Sequence, residues 1–165
     1  MAEVTNDERR DAYMAAMGPE LGDQFHRLEN ERVQLQLKWN EYVSLFGTKP
    51  ERIDLLNAAA PAFFARLEDV LWDDALLHIS RFLDGEVVAA KKTLTLQRLP
   101  RLVDQQIRPL VTSLLDECRQ KCKALKGWRD NRIAHRALEV KPLPPASRAT
   151  VEDALKAIAS VLRAC

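Results

Sequence analysis

From Leu21 to Phe46 the chain sets down apolar residues at an alternating spacing of four and three. The series runs Leu21, Phe25, Leu28, Leu35, Trp39, Tyr42 and Phe46, and only Arg32 interrupts it. A period near 3.6 fits a helix and excludes a strand, whose side chains change face at every residue. The spacing predicts one long helix with a narrow apolar seam, closed by Gly47 as a C-terminal cap. The seam offers more apolar surface than one bundle groove covers, so it points to a homodimer. Trp39 and Tyr42, at seam spacing, read as core or dimer contacts rather than as a platform for stacking bases.

The remaining segments supply further helices. Asn6 to Met17 suits a short, loosely packed helix stopped by Gly18-Pro19, an N-terminal extension (1–18) to a single domain over 19–165. Thr48-Lys49-Pro50-Glu51 reads as a capping box opening a helix to about Ala59, after which Pro61 resets the chain. Between Ala62 and Leu83 one face collects Phe64, Leu67, Leu71, Ala75, His78 and Phe82, beside a polar strip of Asp74, Arg81 and Asp84. His78, on the apolar face, reads as a hydrogen-bonded core histidine, and Arg81 with Asp84 as an i,i+3 ion pair. Gly85 ends this helix and 86–93 is expected to be a loop, because its apolar residues follow neither period. Thr95 caps a short turn to Leu99. Val103, Ile107, Leu110, Leu114, Cys118, Cys122 and Leu125 then mark a long helix kinked at Pro109. Pro142, Pro144 and Pro145 make 138–147 a linker to a last helix that starts at Ser147 or Thr150 and buries Val151, Leu155, Ile158 and Leu162. No repeat, Gly-rich phosphate loop or alternating strand pattern appears, so the fold class is all-α, a bundle of about five principal helices.

With 165 residues, 47% of them hydrophobic, the chain builds one core. Its net charge of +1 excludes a general nucleic-acid binder, so any anion must be met by a local cluster. One exists. Arg119, Lys121, Lys123, Lys126, Arg129, Arg132 and Arg136 are offset only by Asp130, and His135, one of three histidines, lies among them. Arginine forks match phosphate oxygens, and a neutral imidazole exchanges protons near pH 7. The same run also fits a solvated helix end, with cations drawn to the C-terminal dipole. On a regular helix Arg129, Arg132 and Arg136 form an i,i+3,i+7 row, whereas Arg129 and His135 point about 120° apart. The three cysteines, Cys118, Cys122 and Cys165, lack zinc or disulfide spacing and read as buried thiols in a reducing cytoplasm, with no metal and no cofactor expected. No signal peptide or membrane-length apolar run is present, which predicts a soluble protein with no membrane partner.

Arg129-x5-His135, with Asp130 after the arginine and Ile133-Ala134 before the histidine, resembles the Arg-x4-6-His signature of the HEPN superfamily. Trp39-Asn40-x-Tyr42, Leu45-Phe46-Gly47-Thr48, Leu56-Asn57-Ala58-Ala59-Ala60-Pro61, Leu77-His78-Ile79-Ser80-Arg81 and Leu94-Thr95-Leu96 together resemble its AbiU-type abortive-infection branch, over roughly residues 30–137. The resemblance implies a helical, usually dimeric domain. Active members are metal-independent endoribonucleases; others have lost activity or only bind nucleotides. It further implies His135 as general base or acid, Arg129 as the group facing phosphorane charge, and Asp130 or Asn131 as orienting partners. Arg132, Arg136 and Lys126 would hold phosphate, and the strip at Arg81 would orient Arg129. The partners implied are RNA, a second copy and an antitoxin protein. A two-fold dimer would remove the 120° difficulty by pairing residues across its axis. The alternative is a non-catalytic helical module that binds a nucleotide or a protein, favoured if the Asp74/Asp84 strip buries and neutralises Arg129.

Overall fold

Proline and glycine punctuation decides how this chain divides into helices. A computed structural model describes residues 4–47, 49–133 and 145–165, with Arg132 described by its backbone alone. Helices α1 (Asn6–Met17), α2 (Pro19–Tyr42), α3 (Pro50–Ala59) and α4 (Pro61–Arg81) are followed by a two-stranded ribbon, β1 (Val87–Val88) and β2 (Lys91–Lys92). The one-turn α5 (Leu99–Leu102), then α6 (Arg108–Trp128) and α7 (Arg148–Arg163), complete the set. Among the described residues there are thus seven α-helices rather than about five. The physical reason is that α2, α3, α4, α5 and α6 each carry a proline in the first turn. There the missing N–H costs no hydrogen bond and the fixed φ suits the helix, so proline restarts the chain instead of bending it.

Pro109 shows the consequence. It is not a kink inside a long helix: α6 begins at Arg108, and 103–107 belongs to a separate turn in which Asp104 Oδ1 accepts from Gln106 N at 2.9 Å. The apolar stripe extrapolated across that break is therefore out of phase at its start. Val111 and Leu115 are buried, Leu110 is 54% exposed, and the stripe regains register only at Cys118, Cys122 and Leu125. The Cys118 thiol is pushed up by its hydrogen bond with Cys122 and by burial, and burial pushes Cys165 up to about 11. All three cysteines are free thiols in helical surroundings.

The α2 seam forms as expected, with Leu21, Leu28, Leu35, Trp39 and Tyr42 buried and Phe25 and Phe46 packed against them. It is covered from within the same chain by α1, α4, α5 and α7. The seam residues themselves are thus used within the chain, while Val33 and Leu37 of the same helix stay exposed. Trp39 and Tyr42 stack with centroids 5.0 Å apart, and Trp72 of α4 closes on both at 6.0 and 5.5 Å, which makes them core contacts. Gly47 ends the segment differently from a left-handed cap. It closes a π-helical turn (Val43–Gly47), its carbonyl accepts from Arg148, and a Cβ there would come within 2.9 Å of Arg148 Nη1 and Val43 Cγ1. At α3 the N-cap position is Lys49, which makes no side-chain cap; Thr48 of the expected capping box lies outside the described residues.

The segment 86–93 is a ribbon rather than a loop, with Val87 opposite Lys92 and Val88 opposite Lys91. Ala89 and Ala90 turn it at φ of 47° and 63°, without the Asn or Gly that usually marks such a hairpin. At the chain's end Ser147 and Thr150 form a capping box, and Val151, Leu155, Ile158 and Leu162 are buried against α6 as expected. Of the linker, 138–144 lies outside the described residues.

Helix α1 packs closely rather than loosely. Thr5 and Glu8 cap it reciprocally, Arg10 Nε donates to Asp23 Oδ1 at 2.6 Å, and Gly18 makes the turn into α2 at φ 84°. The close approach depends on Gly22, where a Cβ would sit 2.5 Å from Met14 Cα and Tyr13 O. Those neighbours are backbone atoms that cannot rotate away, so Gly22→Val must push α1 off α2. We expect a loss of about 1–3 kcal/mol in urea denaturation, as for other overpacked sites. Hydrogen exchange should accelerate within 6–17 and stay unchanged in α6; unchanged protection of α1 would contradict this packing.

Candidate functional site

The candidate site starts at the C-terminal end of α4, where the chain is fixed by Thr95. This fully buried threonine shares its hydroxyl proton between Phe82 O at 3.0 Å and Asp84 O at 2.8 Å, and accepts from Gln97 N at 3.2 Å. Its own carbonyl accepts from Gln24 Nε2 of α2 at 2.9 Å, and Leu96 N reaches Phe82 O at 2.9 Å. The turn bearing Asp84 is thereby tied to α2 and to the approach to α5.

From that turn Asp84 Oδ1 accepts from Arg129 Nη1 at 2.8 Å, and Asp130 Oδ1 accepts from Arg129 Nε at 2.7 Å. Among the described residues Nη2 takes no partner. The arginine side chain is 19% exposed. Burial opposes its charge, but hydrogen bonds to Asp84 and Asp130 outweigh that and hold its pKa above the usual value. The polar strip of α4 does meet the motif arginine, through Asp84 alone: Asp74 pairs with Lys38 at 2.7 Å. No Arg81–Asp84 ion pair forms among the described residues, because Asp84 turns to Arg129.

The backbone around Arg129 is not a regular α-helix. Helix α6 ends at Trp128 and continues as a π-helical turn (Arg129–Ile133). Bonds from i to i+5 put more residues into each turn, so the i,i+3,i+7 row and the 120° separation, both derived for 100° per residue, do not carry across this segment. Asn131 donates from Nδ2 to Gly127 O at 2.8 Å, which ties it to the turn. Lys126 is exposed on the last turn of α6. Arg132 contributes its backbone to the π turn. His135 and Arg136 lie outside the described residues.

Beside the Asp84–Arg129 pair is a cavity of about 320 Å³. Leu28, Phe82 and Leu94 give it apolar walls, and Glu31, His78, Arg81 and Asp84 give it polar ones. His78 is a core histidine, 3% exposed, with Nε2 at 2.8 Å from Glu31 Oε2 and its ring stacked on Phe82 at 5.7 Å and 9°. Nδ1 has no partner. Among the described residues no three His, Cys, Asp or Glu side chains are grouped to hold a metal ion, and no helix is long and apolar enough to cross a membrane. Thr95 and Gln24 are the positioning residues that sequence reading missed. Thr95 showed itself only as a local cap, and nothing in the spacing signals its contact with Gln24, 71 positions away.

Burial pushes the His78 imidazole below its ordinary value of 6.5; the Glu31 carboxylate pulls it up, and Lys38 and Arg81 push it down. Above pH 6.5 both folded and unfolded chains hold this ring neutral, and it adds no pH dependence. Below that value the unfolded chain takes up a proton that the folded chain refuses, so stability falls as pH drops, by at most about 1.4 kcal/mol per unit. Urea denaturation at pH 7.5 and 5.5 should show this loss, and His78→Gln should reduce it. An equal slope in parent and variant would show that the ring does not titrate in this way.

No curated protein and no solved structure matches the chain. A family model described as AbiU2, of the HEPN type, matches residues 18–165, which spans α2 to α7 and the whole of the clamp around Arg129. The chain belongs to the AbiU2 family of HEPN proteins.

Proposed function

We propose that this protein is a metal-independent endoribonuclease of the abortive-infection type, acting through Arg129 and His135. The observation that carries the proposal is the clamp on Arg129. A guanidinium held on two edges by Asp84 and Asp130 keeps its third nitrogen, Nη2, for a substrate, and the sequence places His135 six positions on, in the spacing that resembles the HEPN signature. Such a donor is oriented before substrate arrives, and preorganised donors are the largest source of transition-state stabilisation in many enzymes.

In the reaction, one protonatable group removes the proton from a ribose 2′-hydroxyl as its oxygen attacks the adjacent phosphorus. The bond to the leaving 5′-oxygen breaks, and that oxygen is protonated. The products are a 2′,3′-cyclic phosphate and a 5′-hydroxyl. His135 serves as base or acid, and Arg129 faces the negative charge on the equatorial oxygens. Lys126, Arg132 and Arg136 draw in the phosphate chain, and Asp130 orients Arg129. A second copy and an antitoxin protein are the protein partners of this reading.

The same clamp supports a second reading, a non-catalytic module that binds a nucleotide or a protein, because two carboxylates more than neutralise one guanidinium. Activity separates the two. Incubated with single-stranded RNA and excess chelator, the protein should release fragments ending in cyclic phosphate, and His135→Ala should abolish cleavage while the chain stays folded. A magnesium requirement or linear 3′-hydroxyl ends would sink the mechanism.

If the arginine of one copy works with the histidine of another, refolding inactive Arg129→Ala with inactive His135→Ala should restore partial activity, since each heterodimer holds one complete pair. Silence in verified heterodimers would exclude the simple cross-chain pair.

A further inference from the structure

The cavity under Asp84 is not used by the chemistry just described, yet it shares a wall with it: the carboxylate that holds Arg129 also lines the cavity. A pocket of about 320 Å³ lies at the lower end of the range, about 300–1,000 Å³, that holds small ligands. Its apolar walls suit a flat ring, and the parallel His78–Phe82 pair adds an aromatic boundary. Its polar groups are two carboxylates, Glu31 and Asp84, one guanidinium, Arg81, and a histidine that is 97% buried by the measure of its 3% exposure and has no partner at Nδ1.

These groups discriminate among the bases. Arginine pairs best with the two acceptors O6 and N7 of guanine. A carboxylate accepts best from two adjacent donors, which the Watson–Crick edge of guanine presents at N1 and N2. Adenine offers a single amino donor on its corresponding edge, and the pyrimidines lack the N7 acceptor and fill less of the space. RNA-binding proteins read unstacked bases in this way, with a ring in an apolar slot and hydrogen bonds to its edges.

We infer that the cavity lined by Glu31, His78, Arg81 and Asp84 is a guanine pocket, which seats one base of a single-stranded RNA next to Arg129. The inference depends on the endoribonuclease reading for what it says about cleavage sites, but not for what it says about binding. Asp84 then has two functions, fixing the arginine and bordering the base, so the position of the bound guanine is referred to the position of the reacting phosphate through one side chain. Arg81, placed by sequence analysis as an orienting group for Arg129, becomes a specificity residue instead.

The test is calorimetric titration of the full-length protein with the four nucleoside monophosphates at 0.15 M salt. Guanosine monophosphate should bind at least tenfold more tightly than the other three. Arg81→Ala and Glu31→Gln should each weaken it tenfold or more. Both residues have exposed side chains, so circular dichroism should report an unchanged fold. Leu94→Trp, which fills the cavity with an apolar ring, should abolish the preference without removing any charge. Cleavage products of a mixed-sequence RNA should share a guanine at one fixed position beside the cut. Equal affinity for all four nucleotides, or a guanine preference that survives in all three pocket variants, would overturn the inference. Cleavage with no guanine bias would do so while leaving the endoribonuclease reading intact, and guanine-selective binding without cleavage would overturn that reading while leaving the pocket.

Discussion

The hydroxyl of Thr95 is the point on which the arrangement of this molecule turns. It has one proton to donate and two lone pairs to offer, and it spends them on Phe82 O, Asp84 O and Gln97 N. The two carbonyls belong to a helix end and a following turn, where carbonyls lack intrahelical donors; Phe82 O also accepts from Leu96 N. Gln24 completes the joint by reaching Thr95 O from α2. With that joint closed, Asp84 has a fixed address and Arg129 is caught. The cavity walls include Phe82 and Asp84, which Thr95 holds, and Leu94, its neighbour in the chain.

In the proposed reaction, the clamp it supports directs a substrate rather than attracts it. One guanidinium between two carboxylates carries a local charge of −1, so Arg129 adds little to the pull on an approaching phosphate. Attraction falls to the rest of the basic run, Arg119 to Arg136, set in a chain whose total charge is only +1. That division has a physical logic. Long-range fields raise encounter rate and weaken with salt, whereas a donor fixed in a partly buried setting acts only at contact and is little affected by salt. A free arginine would do both jobs less well, because it would follow the substrate instead of holding the geometry that the transition state needs.

Sequence reading succeeded where one rule governed a long stretch, and failed where a short-range rule was extended past its limits. The α2 seam, the α7 face and the histidine on the α4 face each follow a 3.6 period inside an unbroken helix, and all are buried as read. The α6 stripe failed at Leu110 because the period was carried across 103–107, which is not helical with it. The ribbon at 87–92 was illegible because its turn is made by Ala89 and Ala90, residues that pay for positive φ and so give no compositional signal. The motif's angular relations failed for a similar reason: a π-helical turn has no sequence mark that a count at 100° per residue can detect. Of the site, Arg129 and its neighbours were legible as a charged constellation. The pairing with Asp84, 45 positions away, was legible only as a polar strip set toward it, and its anchoring by Thr95 and Gln24 was not legible at all.

Where two copies of this chain meet is constrained by what the fold has already consumed. The α2 seam is closed inside each copy, so it cannot join them. The apolar surface left among the described residues includes Leu55 of α3 and Phe63 and Val70 of α4, all more than half exposed, on the outward half of α4. Val70 precedes Asp84 by fourteen positions, roughly 20 Å at helical rise, so copies joined through that arm would hold their motif arginines far apart. A site built across two chains requires contact at the other end, where the π turn and the basic run lie. There the two copies bring like charges together, at a cost of several kcal/mol unless it is compensated. The compensating charge most naturally comes from the polyanion between them. Under the proposed endoribonuclease reading, a composite site would couple assembly to substrate: the RNA phosphates that the basic runs would attract are the same charges that would let those runs approach, and salt that screens the attraction would also screen the repulsion.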